Sequence, residues 1–337
     1  MKKRLNLLIM MLVPMVAVNA LAQLLAIGNI SYSLSEETAK VVSCSEFGNG
    51  AIEIPSTVSY GGKDYSVTTI GGFAFFECTK LKSIVIPNGV TTIEQRAFEG
   101  CTGLTSLIIP NSVTTIEAQA FYYCSSLASI TIPQSVTTIG EGVFYSCSGL
   151  TSITVEEGNP EFDSRNDCNA IIETSTNEMI VGCKNTKIPT SVTRLGESAF
   201  GGCSDLASIV IPSSVERIMD KCFEECYNLV DVYCYPENAP HALSWNIFDD
   251  YTYDNATLHV PEGKENAYGK ELPWRFFSNV VALTDSDPKP TGIKTIEKDV
   301  LAKERIYDLS GRRLTASQTG VNIIQTSNGK TKKVLVK

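Results

Sequence analysis

The sequence repeats itself every 23 residues, and no other feature narrows the fold as far. Ile86-Pro87, Ile109-Pro110 and Ile132-Pro133 are spaced by 23 residues, and Ile188-Pro189 and Ile211-Pro212 resume the step after one 33-residue unit. Val155-Glu156 keeps the apolar residue without the proline, and Cys234-Tyr235 is a degenerate last step. Ile54-Pro55 and Val260-Pro261 flank the array. Four further columns keep the same beat. They are Phe75, Phe98, Phe121, Phe144, Phe200 and Phe223; Cys78, Cys101, Cys124, Cys147, Cys203 and Cys226; Leu81, Leu104, Leu127, Leu150, Leu206 and Leu229; and Ile70, Ile93, Ile116, Ile139, Leu195 and Ile218.

Each unit has a physical reading. In Leu104-Thr-Ser-Leu107-Ile-Ile109-Pro110, Leu107 and Ile109 share one side of a strand of period two. Pro110 has no N–H for a ladder and closes that strand. Val113-Thr-Thr-Ile116 is β-prone and predicts a second short strand. Ala120-Phe121-x-x-Cys124 is too short for a stable free helix and predicts a helical or 3₁₀ turn. One unit cannot bury its own apolar side, whereas stacked units roof one another. The fold class that follows is mainly β: a solenoid of 23-residue units, short strands plus short helical turns, carrying a small C-terminal β module. Nine rungs from Ile54 to Val260, at ~4.8 Å each, make a rod on the order of 40 Å long.

The units resemble leucine-rich repeats. Leu-x-x-Leu/Ile-x-Ile matches the start of that pattern, and the continuation Pro-x-x-Val-x-x-Ile-x-x-x-Ala-Phe-x-x-Cys is similar to the BspA-like subfamily over roughly Ser31 to Leu283. The resemblance implies a secreted or surface protein of a Gram-negative bacterium. It also implies a role in adhesion to host matrix proteins, mucus or other cells. The departures are Val155-Glu156, Cys234-Tyr235 and the longer unit, residues 155–187. β-rich pieces at Ala170–Glu173 and Met179–Gly182 around "TSTNE" predict an inserted hairpin there.

The ends read differently. Lys2-Lys3-Arg4, the apolar run Leu5–Val18 and Ala20-Leu21-Ala22 predict a secretory signal peptide over residues 1–22. A membrane anchor is the rival reading, and the run is short for a span of about 20 residues. The first cysteine is Cys44, which disfavours lipid attachment at the cut, and no later stretch predicts a transmembrane segment. Residues 23–67 predict an N-terminal cap of β-hairpins, 68–234 the solenoid, and 235–283 a last rung and C-terminal cap. In that cap a short helix begins at Pro261-Glu262-Gly263, and Trp274, Phe276 and Phe277 plug the last coil. Residues 284–292 predict a linker, and 293–337 a β module with turns at Ser310-Gly311 and Asn328-Gly329. That module resembles the sorting domains of type IX secretion in Tyr307-Asp-Leu-Ser-Gly311, Gly320-Val-Asn-Ile-Ile and Asn328-Gly-Lys.

Composition excludes some partners and chemistries. Residues 23–290 carry 15 basic and 33 acidic side chains, against 10 and 4 beyond them. So acidic a body argues against nucleic acid. The two histidines, His241 in a loop and His259 in a strand, stand in no metal or nucleophile motif. No glycine-rich phosphate loop or zinc motif is present. The reading is a non-enzyme without cofactor or metal. Six of the eleven cysteines recur once per unit beside a phenylalanine and read as core packing. Cys168 and Cys183, flanking the insert, are the pair best placed for a disulfide, and Asp249, Asp250 and Asp254 are a candidate for Ca²⁺ without a matching loop signature.

The outward strand positions remain. Ser83, Ser106, Ser129, Ser152 and Ser208 predict one ladder, and Val85, Ile108, Thr131, Thr154, Val210 and Tyr233 the next. A solvated β face accounts for them without function. As a candidate binding strip they suit a flat or extended partner, an extracellular or cell-surface protein. Tyr122, Tyr123, Tyr145, Tyr233 and Tyr235 also suit sugars, so a polysaccharide-binding surface protein is the second reading.

Overall fold

Most 23-residue units contribute two short strands that pair, in parallel, with the same residues of a neighbouring unit. In the computed structural model, Ser83–Val85 aligns with Ser106–Ile108 and Ser129–Ile132 with Ser152–Val155; beyond the long unit, Ser208–Ile211 aligns with Asp231–Cys234. Thr92–Ile93, Thr115–Ile116 and Thr138–Ile139 form the second ladder, and Arg194–Leu195 and Arg217–Ile218 pair likewise in a separate sheet beyond it. The structure describes residues 23–44, 50–242 and 244–290, and strands within 305–336. The signal segment expected at 1–22 lies outside the described residues. The chain divides into two units, Met1–Thr291 and Gly292–Lys337.

The period-two reading of the strands holds. Leu107 and Ile109 are buried while Ser106 and Ile108 face out. Phe75, Phe98 and Phe121 are fully buried, and the rings from Phe75 to Phe144 stack at 5.0–5.3 Å. The expected helical turns are tight turns closed at the 3₁₀ spacing. Cys101 N donates to Phe98 O and Cys124 N to Phe121 O. Left-handed residues interrupt them, Gln119 (φ 59°) and Tyr123 (φ 57°) in one unit, Arg96 and Gly100 in the previous one. The intervening N–H groups turn outward to the next coil. Phe98 N donates to Ala120 O at 2.8 Å and Phe121 N to Val143 O at 2.9 Å. The turn edge is therefore a third ladder, and nearly every backbone donor there has a partner, as a stacked interior requires.

The cysteine column is more than small apolar filling. Cys101 Sγ donates to Phe75 O at 3.1 Å, Cys124 Sγ to Phe98 O at 3.3 Å and Cys147 Sγ to Phe121 O at 3.1 Å. All eleven cysteines are free thiols, including Cys168 and Cys183. Cys183 Sγ donates instead to Asn169 O at 3.6 Å.

At the N-terminus, Gln23–Ile27, Ile30–Ser35 and Thr38–Cys44 form an antiparallel meander, and Thr57–Tyr60 and Lys63–Ile70 a hairpin. Ala51–Glu53 does not belong to that cap. It pairs in parallel with Ser83–Val85 and already forms the first rung. At the other end the short helix is Glu265–Tyr268. Trp274 is fully buried and donates from Nε1 to Pro240 O at 2.9 Å, and Tyr268 donates from its hydroxyl to Pro236 O at 2.7 Å. Phe277 is buried, but Phe276 is exposed, so Tyr268 takes the plugging place expected of it. The phenylalanine column runs one ring further than the repeat predicts, to Phe248 at 4.9 Å from Phe223.

The 33-residue unit contains the expected hairpin, Ile171–Glu173 against Glu178–Val181, and a third antiparallel strand, Phe162–Asp163. Glu178–Val181 then rejoins the parallel ladder beside Arg194–Leu195. Gly182 occupies the phenylalanine slot of this coil. Its N–H donates to Ala199 O at 2.7 Å, as Phe121 N does to Val143 O, and a Cβ there would overlap the Phe200 ring. The ring column thus breaks between Phe144 and Phe200, and two core clusters meet at the insert.

The described strands of the C-terminal unit form one antiparallel sheet in the order Arg313–Leu314, Arg305–Tyr307, Gly320–Gln325, Thr331–Val336. The turns expected at Ser310-Gly311 and Asn328-Gly329 lie outside the described residues.

Candidate functional site

Two surfaces of the solenoid carry side chains that the core does not use. The first is the outer side of the first-strand ladder. Its register superposes Glu53, Val85 and Ile108 in one column, then Thr131 and Thr154, and after the insert Val210, Tyr233, His259 and Val281. Val85 is 57 % exposed and Ile108 82 %, with Ser106, Ser129 and Ser208 exposed beside them and Ser83 and Ser152 half-buried. Two large aliphatic side chains left in water on adjacent rungs form a small apolar spot in a hydroxyl-lined strip. Thr131 and Thr154 spend their hydroxyls on each other at 3.0 Å.

The structure does not bring all the predicted residues into one strip. The first strands form three sheets: Ala51–Glu53 with Ser83–Val85 and Ser106–Ile108, then Ser129–Ile132 with Ser152–Val155, and beyond the insert the sheet that starts at Ser208–Ile211, so Thr154 is separated from Val210. Val210 and Tyr233 are only half-exposed. Tyr233 stacks on His259 at 4.3 Å, and His259 Nε2 lies 2.8 Å from Asp231 Oδ1. Residues 284–290, read from sequence as linker, lie against this end: Tyr235 donates to Pro288 O at 2.9 Å and Lys289 sits over the Tyr235 ring. His241 is not in a loop but forms the short strand His241–Ala242 beside Arg217–Ile218.

Sequence reasoning missed Glu53, His259 and Val281 in this column. Their spacing from the repeat differs from 23, since Glu53 precedes Val85 by the longer N-terminal coil and His259 follows Tyr233 by 26 residues. A search for outward residues of β-prone segments outside the array would have found them.

The second surface is the turn edge. There Arg96 lies over Phe73 and Tyr122, and Tyr122 stacks on Tyr145 at 5.1 Å. Beyond the insert, the turn of Phe144–Cys147 meets that of Phe200–Cys203 directly, and Ser146 N donates to Gly201 O at 3.0 Å. Tyr145 crosses the bare Gly201 backbone, and its hydroxyl donates to Glu224 Oε2 at 2.8 Å. Burial, then that carboxylate, holds its phenol far above the usual range. Ser146 Oγ donates to Glu225 Oε2 at 3.0 Å. Nearby, partial desolvation first and the Glu141 carboxyl second raise Glu197 to about 7, although its side chain still reaches water.

Asp249, Asp250 and Asp254 do not converge. Asp249 precedes the helix Asp250–Asn255 and accepts Glu225 N at 2.7 Å. Among the described residues no His, Cys, Asp and Glu group is placed to hold a metal, and no helix is long and apolar enough to cross a membrane. Burial raises the buried thiols, Cys78 to about 12 and Cys168 to about 11, opposite to the shift a nucleophile needs.

Residues 62–171 and 170–259 match the family model described as BspA type leucine rich repeat region, six copies. Among solved structures, the chain is similar to a leucine rich cell surface protein from Faecalibacterium prausnitzii, with 21 % identity over 78 % of this chain and 96 % of that one and a TM-score of 0.40. A leucine-rich repeat protein from Bacteroides ovatus shows 22 % identity, covering 77 % of this chain and 76 % of the other, TM-score 0.44. The T. pallidum leucine rich repeat protein shows 25 % identity over 74 % and 95 %, TM-score 0.40. No curated protein matches the chain.

Proposed function

The chain belongs to the BspA-type leucine-rich repeat family, and from that premise we propose that it is an exported, non-enzymatic binding protein. Its first-strand face takes an extended segment of another protein. The observation that carries this reading is the pair Val85 and Ile108, adjacent in register and strongly exposed. An apolar pair on a rigid ladder offers area without an ordering cost. Ser83, Ser106, Ser129 and Ser152 flank it with hydroxyls for a partner's backbone, Thr131 and Thr154 continue the column with hydroxyls bonded to each other, and Ser208 lies beyond the insert. Val210 and Tyr233 form a separate, half-covered patch. Host matrix proteins, mucins or the surfaces of other cells are the proposed partners, the outer surface of a Gram-negative cell the proposed location, and the signal segment and C-terminal unit the proposed export signals.

Biolayer interferometry of the purified protein against immobilised matrix proteins and mucins tests the reading. We expect saturable binding to one of them, weakened by Ile108→Glu or Val85→Lys and indifferent to Arg275→Ala at the far cap. Binding that ignores both face variants would remove the strand face from the reading.

A further inference from the structure

The break in the repeat leaves a cleft on the turn edge that neither the core nor the strand face uses. Two columns line it. One runs Tyr123, Ser146, Gly202, Glu225; the other is a row of serines, Ser148 and Ser204 among them, closed by Tyr227. Large residues stand at opposite corners and small ones between, which leaves a trough of ≈ 250 Å³. Tyr123 is 40 % and Tyr227 52 % exposed, so both rings stand in water. The floor is held rigidly. Ser146 and Tyr123 donate to Glu225 Oε2 at 3.0 and 3.4 Å, and Glu225 N is tied to Asp249 Oδ2. A Cβ on Gly202 would collide with Ser146, so only glycine keeps this floor low.

We propose that this trough binds one residue of a neutral saccharide. A sugar ring is the ligand whose two kinds of surface match it. The C–H face of a pyranose is apolar and carries slight positive charge, which suits the negative face of a tyrosine ring. Its hydroxyls both donate and accept, and serine hydroxyls answer both ways. Both protein donors to Glu225 converge on Oε2, which leaves Oε1 as an acceptor for a sugar hydroxyl. Acidic sugars are excluded by the field of the region, where Glu224 and Asp249 adjoin Glu225 in a body with an excess of 18 negative charges. A cationic side chain is the competing ligand. It would need carboxylates converging on one point, but Glu224 Oε2 is engaged by Tyr145 and Asp249 Oδ2 by the Glu225 backbone. The trough is small for a pocket and holds a single ring, so the affinity for one sugar is on the order of millimolar. This site lies apart from the strand face and stands or falls independently of it.

Saturation-transfer NMR on the full chain tests it, with the methyl glycosides of glucose, galactose, mannose and N-acetylglucosamine as probes. Sialyllactose and acetyl-arginine amide are the charged comparisons. We expect transfer to the C–H protons of at least one neutral glycoside. Tyr227→Ala should weaken it about tenfold at an unchanged melting temperature, Tyr227→Phe should retain it, and Glu225→Gln should weaken it several-fold. Because Tyr227 projects from the surface, its loss does not unfold the coil. Absence of transfer from every neutral glycoside overturns the proposal. So does transfer that persists undiminished in Tyr227→Ala, or preferential binding of either charged probe.

Discussion

Gly201→Ala is the sharpest test of the way this solenoid is joined across its irregular unit. The backbone at Gly201 is not left-handed, so alanine meets no conformational barrier there. The obstacle is the Tyr145 ring, which lies where the new methyl group must go. The next nearest atom, Ser198 O at 3.2 Å from the methyl position, is tight but tolerable. Two responses are open. The ring can stay under compression, at about 1–3 kcal/mol for an overpacked site. It can also swing out and forfeit its bond to Glu224, at about 1.5–3 kcal/mol for a hydrogen bond to a charged group. The protein takes the cheaper, so we expect a loss of about 2 kcal/mol. With Tyr145 already cut to alanine, the obstruction is gone. The same change then costs close to nothing, and the restricted unfolded chain can make it stabilising by about 0.5 kcal/mol. Equilibrium urea unfolding of the four proteins, read by circular dichroism, gives the coupling directly. A Gly201→Ala cost that is equal in both backgrounds refutes the idea that this glycine exists to let Tyr145 pass.

Three further outcomes are expected. Phe121, stacked between Phe98 and Phe144, has two ring neighbours where Phe75 has one. Phe121→Ala should therefore cost about 3–5 kcal/mol and exceed Phe75→Ala by about 0.5–1.5 kcal/mol in denaturant melts. Burial raises Cys44 to about 11 and Cys234 to about 12, so the native protein at pH 8 should resist Ellman's reagent and the unfolded chain should release all eleven thiols. Glu197 is an acid whose folded pKa is raised, so it gives up its proton later in the folded state than in the unfolded one. Stability is thereby lost as pH rises from about 4.5 to about 7. Because this side chain is exposed, solvent screens most of the effect. Glu197→Gln should be more stable than the parent by on the order of 1 kcal/mol at pH 8 and equal to it at pH 4, as thermal melts at the two values would show.

Periodicity exposed most of this fold because each coil buries the same residues against the same neighbours. A column such as Phe98, Phe121 and Phe144 is written into the chain at fixed intervals, and so are the outward residues Val85 and Ile108. What periodicity could not reveal is whatever depends on the coils failing to be equal. The contact of Tyr145 with Gly201 joins residues 56 apart in sequence through a unit that loops away, and no local pattern announces it. Nor could Tyr233 be recognised as half-covered, since His259 and the Pro288 segment reach it from outside the array. The turns were legible only in part, for a different reason. Ala-Phe-x-x-Cys has the right hydrogen-bond spacing for a 3₁₀ turn, but half of its N–H groups are claimed by the next coil, and only stacking decides that.

Gly182 under Phe200 and Gly201 under Tyr145 bear on how the chain finds its own alignment. Coils that look alike invite slippage: a shift by one whole coil would set Phe98 where Phe121 belongs and leave almost every buried contact intact. Nothing within the regular stretch distinguishes the two states. The irregular unit does, because Tyr145 passes over the bare Gly201, whereas one coil further on the same ring would meet Glu224. It works as a key cut into an otherwise uniform rod. Whole 23-residue units should thus be removable or duplicable between Cys78 and Leu150 with little harm, while an equal change spanning residues 155–201 should leave the two halves unable to mate.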